Sequence, residues 1–133
     1  MARDDSAAND EKKNPMSKDE NEAAPEPITI DEFGKVDLRI GTIRKAEPHP
    51  NADRLLVLQV DIGEEEPRQL VAGIRDTYDV RTLVGQQIVV VANLKPAKLR
   101  GVESRGMLLA GRDDTGLSVL APGKRLLAGT RVS

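Results

Sequence analysis

The sequence predicts an all-β domain with short helices, arranged as a small antiparallel Greek-key barrel. Apolar residues recur with period two over several short stretches, one stretch is continuously β-branched, and a single segment between strands carries helical spacing. With 133 residues, one core is the expected number.

In chain order, Thr29-Ile30-Asp31-Glu32-Phe33 offers an N-cap and an acidic first turn, enough for one short helix closing an end of the barrel. Val36, Leu38 and Ile40 then alternate with Asp37, Arg39 and Gly41, which predicts a half-buried strand over residues 36–46. A second strand covers Leu55 to Asp61, and the acidic turn Gly63-Glu64-Glu65-Glu66-Pro67 leads into a third near Gln69 to Ala72. Between Arg75 and Val84 the alternation is lost; Tyr78, Val80 and Leu83 predict a short helix or turn that Gly85 ends. The run Ile88-Val89-Val90-Val91-Ala92 predicts a central strand buried on both faces. Met107 to Ala110 and Leu117 to Leu120 supply two further strands. Five or more strands with one intervening helical piece suit a five-stranded Greek-key barrel of the OB-fold type, and a β-sandwich would account for the strand count nearly as well.

Composition narrows the function classes. No cysteine is present, so disulfides and thiolate metal sites are excluded and a reducing, cytoplasmic setting is expected. No run of about 18 apolar residues exists and the amino terminus lacks a signal-peptide stretch, so no membrane association is expected. Phe33 and Tyr78 are the only aromatic residues, which makes the core aliphatic and rules out base stacking on rings as the dominant mode of any nucleic-acid binding. The single histidine, His49, stands between two prolines and reads as a turn residue rather than a base or ligand. The run Glu64-Glu65-Glu66 reads as a solvated hairpin tip, no metal or other cofactor is expected, and no phosphate-loop or dinucleotide fingerprint occurs. The chain is not expected to be an enzyme.

The net charge of −2 averages over unlike segments. Residues 1–27 hold four basic residues against eight acidic, and with almost nothing to bury they read as a disordered acidic tail preceding a domain at 28–133. From residue 28 to 92 there are eight basic and eleven acidic residues; from 93 to the end, eight and three. The positive charge therefore lies in the carboxy-terminal third. It peaks between Asn93 and Met107, where Lys95, Lys98, Arg100 and Arg105 stand against the single anion Glu103. Pro96 stiffens this loop and Gly101 and Gly106 permit tight bends, so the cations are presented together and phosphate oxygens are their natural ligand. Asn93 and Ser104 add hydrogen-bonding capacity for sugar hydroxyls or base edges. A loop whose lysines merely keep it solvated accounts for the charge equally well.

Several separated motifs, in order, resemble the tRNA-binding domain family: Lys35-Val36-Asp37-Leu38-Arg39-Ile40-Gly41, Glu47-Pro48-His49-Pro50-Asn51-Ala52-Asp53-Arg54-Leu55, Ala92-Asn93-Leu94-Lys95-Pro96, and Lys98 through Met107. That domain is found at the carboxy terminus of many bacterial methionyl-tRNA synthetases and as free-standing structure-specific tRNA-binding proteins. The resemblance covers residues 30 to 133. It implies an OB-fold, commonly a homodimer, that grips the outer corner of tRNA without selecting an anticodon. By position it places RNA contacts on Asn93, Lys95, Lys98, Arg100, Ser104, Arg105 and Met107. Some of these have structural alternatives: Asn93 as a pin for the loop through backbone hydrogen bonds, Met107 as core, and Asp37 as a barrel-closing residue. The implied partners are tRNA, a second copy of the chain through Leu117, Val119, Leu120, Leu126, Leu127 and Val132, and an aminoacyl-tRNA synthetase. A related chaperone-type module that binds protein on the same barrel is the alternative function. Met16-Ser17-Lys18 resembles the lysine-bearing ATP-site loop of class I aminoacyl-tRNA synthetases, but no nucleotide-binding fold stands beside it and it is set aside.

Overall fold

The computed structural model of the protein describes residues 24–133. Most of the segment read as a disordered tail, with Met16-Ser17-Lys18, lies outside them. The described chain runs α1 (Ile30–Phe33), β1 (Leu38–Pro48), β2 (Leu56–Asp61), β3 (Arg68–Ala72), α2 (Val80–Leu83), β4 (Gln87–Val91), β5 (Ala97–Leu99), β6 (Val102–Ser104), β7 (Met107–Leu108), β8 (Ala110–Asp113), β9 (Gly116–Val119) and β10 (Arg131–Val132).

The main sheet has the order β3-β2-β1-β4-β7, all neighbours antiparallel, with β10 added to β1. This is a nearly closed five-stranded barrel of the OB type with a helix between its third and fourth strands. Its closure depends on β1. The first half of that strand pairs with β4 (Leu38↔Val91 to Thr42↔Gln87) and its second half with β2 (Ile43↔Val60, then Lys45↔Gln59 to Pro48↔Leu56). The register shift between Ile43 and Lys45 leaves Arg44 as an extra residue, a bulge that bends the strand from one side of the barrel to the other. At Gly41 a Cβ would lie 2.5 Å from Val60 Cγ1, so only glycine lets β1 curve this closely over the core.

The core is aliphatic, as the composition requires: Ile43, Leu56, Leu58, Val60, Leu70, Leu83, Ile88 and Val90 are fully buried. β4 is the expected central strand, flanked by β1 and β7. Two expectations need correction. α1 forms with a full capping box between Thr29 and Glu32, yet none of its residues is buried and Ile30 is 80 % exposed, so it does not close the barrel. Leu83 of α2, wholly buried, packs against the core instead. The stretch Met107 to Ala110 is not one strand: it breaks at Leu109 into β7, paired with β4, and β8, paired with β9.

Asp61 ends β2 by accepting hydrogen bonds from the Gly63 amide and the Arg44 guanidinium, and both hold its carboxyl below the usual carboxylate value. Such a group adds stability that is present above the unfolded value of about 3.9 and is lost as pH falls through the lower folded value. Asp61→Asn is therefore expected to lower stability at neutral pH and to flatten the loss of stability below about pH 4, read from urea midpoints across pH 2 to 7.

Candidate nucleic-acid interface

Between β4 and β7 the chain leaves the barrel and returns to the same place, since Val91 pairs with Met107. The intervening residues are a projecting two-stranded hairpin, β5–β6, in register Ala97↔Ser104, Lys98↔Glu103 and Leu99↔Val102. The sequence predicts a loop here, whereas its residues pair as two short strands. Its turn is Arg100-Gly101, with φ of 55° and 90°. Positive φ at both positions is the two-residue turn that matches the twist of paired strands. Gly101 adopts it freely, whereas Arg100 is the one non-glycine residue of positive φ among the described residues.

The base of the hairpin is tied down by β3 and by the segment Lys35 to Asp37 that leads into β1. Ser104, 4 % exposed, accepts a hydrogen bond from the Val71 amide (2.9 Å) and donates to the Gly106 carbonyl (2.9 Å). The Arg105 amide donates to the Gln69 carbonyl (2.8 Å), and the Gln69 side chain donates to the Glu103 carbonyl (2.8 Å). Arg68, mostly buried and paired with Glu64, donates from its guanidinium to the carbonyls of both Ala92 and Arg105, so it bridges the hairpin's two ends. Asn93 accepts from the Asp37 amide (2.8 Å) and donates to the Lys35 carbonyl (2.6 Å), while the Ala92 amide donates to the Asp37 carbonyl.

The tip is held from the β1–β2 turn. His49 is buried, its Nδ1 accepts from the Asn51 amide (2.9 Å), and its Nε2 lies 2.9 Å from the Leu99 carbonyl. With Nδ1 occupied as acceptor, the ring proton belongs on Nε2, where it donates to Leu99. His49 is thus a latch between the two loops, a role that its proline-flanked position did not disclose. Arg68, Gln69 and Asn51 were likewise missed, because nothing in a sequence says which distant backbone groups such side chains satisfy.

Lys95, Lys98, Arg100 and Arg105 are all exposed, and none has a carboxylate within 4.0 Å among the described residues. Arg100 stands at the tip, Lys98 on the outer face of β5 opposite Glu103, and Lys95 and Arg105 at the two ends of the base. Met107 is 48 % exposed at the root. Asn93 and Ser104 sit apart in function: their polar atoms are taken up by backbone groups. Tyr78 packs against the core, and its hydroxyl accepts from the Val119 amide at 3.0 Å. Among the described residues no cluster of three metal-ligating side chains occurs, and no helix is long and apolar enough to cross a membrane.

Residues 38–131 match the family described as "Putative tRNA binding domain". The methionine–tRNA ligase of Thermococcus kodakarensis is 50 % identical over 107 residues, a match that takes in 80 % of this chain and 14 % of the ligase. The chain thus spans about one seventh of that relative's length. Among solved structures, a MetRS-related protein from Pyrococcus horikoshii aligns with a TM-score of 0.75 at 35 % identity, covering 82 % of this chain and all of the other. The chaperone CsaA from Bacillus anthracis aligns with a TM-score of 0.72 at 34 % identity, covering 81 % and 100 %.

Replacing His49 by alanine leaves the Leu99 carbonyl and the Asn51 amide without their partner. The expected result is a loss of about 1–3 kcal/mol in stability. Hydrogen exchange should accelerate across β5–β6 more than in β4.

Proposed function

The chain belongs to the tRNA-binding domain family, and from that premise we propose that its projecting hairpin grips the outer corner of folded tRNA by shape and phosphate contacts, with no chemistry of its own. The observation that carries this reading is a hairpin tied to β3 and bearing four exposed cations, none of them in an ion pair among the described residues. Lys95, Lys98, Arg100 and Arg105 take phosphate oxygens, lysine as point charge and arginine as a bidentate fork. Met107 contacts the RNA from the root. Asn93 and Ser104 serve binding by fixing the hairpin's geometry. A folded corner offers phosphates in a set spatial pattern, which suits a site without aromatic rings.

The module is auxiliary to aminoacylation, as part of or beside a methionyl-tRNA synthetase, and acts in the cytoplasm with residues 1–27 as an acidic extension. It works as a homodimer, for which Leu120, Leu126 and Leu127 are the exposed apolar residues; Leu117 and Val119 pack against the core instead. A chaperone-type reading has one observation in its favour, the likeness to CsaA.

Light scattering is expected to give twice the chain mass. With about four phosphates neutralised, log affinity for tRNA should fall with log salt at a slope of roughly −3, and the double variant Lys95→Ala, Arg100→Ala should reduce that slope by about one per cation removed. Intact tRNA should outcompete denatured tRNA and a plain RNA hairpin in a gel shift. Equal competition by all three would mean charge attraction alone.

A further inference from the structure

We propose that the cleft between β3 and the β7–β9 strands takes one unstacked nucleobase of the RNA whose phosphates the hairpin holds. This rests on the reading of the hairpin given above. The cleft has a volume of about 200 Å³ and is lined mainly by apolar groups, among them Val71, Ile74, Met107, Leu108, Ala110 and Leu117. That is the scale of one ring system, since an apolar cavity of about 150 Å³ holds benzene.

Three features specify a base rather than an aliphatic group. The cleft adjoins the cationic site: Met107 and Val71 line it, and two residues before each of them the Arg105 amide donates to the Gln69 carbonyl. Met107, half exposed at the rim, supplies a polarisable thioether that packs well against an aromatic face. Finally, a polar group waits on the wall. β3 directs the backbone groups of its odd-numbered residues away from β2: the Gln69 carbonyl accepts from the Arg105 amide and the Val71 amide donates to Ser104. Val71 lines the cleft, and its carbonyl points to the same side. It can accept from an exocyclic amine or ring N–H of a base, which an apolar peptide side chain cannot offer. The phosphate contacts then set the approach and the cleft sets the register.

Ala110 is exposed at the rim, so Ala110→Phe fills the cleft from outside without entering the core. The expected result with the full chain is an unchanged melting temperature, a roughly tenfold loss of affinity for a tRNA transcript, and an unchanged salt slope. A set of transcripts, each abasic at one elbow position, should show one position whose loss matches that of Ala110→Phe and is not increased by it. Met107→Ala should weaken binding through the same position. Unchanged tRNA affinity in Ala110→Phe overturns the proposal, as does full additivity at every abasic position. So does a loss confined to binding of a reduced, carboxymethylated protein, which would make the cleft a peptide site. If Lys95→Ala, Arg100→Ala leaves tRNA binding intact, the hairpin reading fails, and that result is distinct from failure of the cleft.

Discussion

The constraint on which the rest depends is the outer edge of β3. A sheet that does not pair its end strands β3 and β7 leaves a row of backbone donors and acceptors facing away from β2, a feature that either finds partners or invites unwanted pairing. Here the partners come from the root of the β5–β6 hairpin: the Arg105 amide on Gln69, the Ser104 hydroxyl on Val71, and the Gln69 side chain on Glu103. Arg68 adds the two carbonyls at the ends of the excursion. The bonds that complete the fold are therefore the bonds that aim the cations. A change that loosens the barrel seam also loosens the cationic hairpin, and the Val71 carbonyl of the same edge belongs to a residue that lines the cleft.

At the far end of the hairpin the backbone runs against local preference. A non-glycine residue at positive φ costs about 1–3 kcal/mol and persists when its surroundings over-determine it. Asparagine or glycine would occupy the first turn position more easily than Arg100 does. Its surroundings do hold it: His49 fixes Leu99 on one side, Asn51 reaches the Arg100 carbonyl at 3.4 Å, and Gly101 completes the turn. On the proposed reading of the hairpin, a strained arginine at an exposed tip, supported by a buried histidine from another loop, gives up turn stability for charge placement.

The parts of this architecture readable in the sequence are those with a periodic signal. Strands β1 to β4 bury one or both faces over five or more residues, and α2 interrupts them with a different spacing, so the barrel order follows. The strands of the hairpin have three residues each, and β5 is exposed throughout, so no alternation marks them. β10 is two residues that join β1 only because the Gly129 and Ile40 backbones meet, with the Ile40 amide on Thr130. Residue type named Asn93 and Ser104 as polar members of a basic loop, but whether a polar atom faces solvent or a distant amide is decided by tertiary contact. Charge, by contrast, survives folding unchanged, which is why the Asn93–Met107 segment could be singled out beforehand.

The proposed binding of a polyanion by an acidic chain is no contradiction once distance is considered. At physiological salt, exposed charges are screened beyond about 8 Å, so a phosphate at the hairpin senses Lys95, Lys98, Arg100 and Arg105 rather than the net charge. Of the nearer acidic groups, Glu64 is committed to Arg68 and Asp37 to Arg39, which leaves Glu103, opposite Lys98, as the one anion within the hairpin. Electrostatics of such short range attracts any nucleic acid equally. The proposed selection of a folded shape therefore rests on the spacing of the cations and on what lies between them, and both are set by the hairpin's attachment to β3.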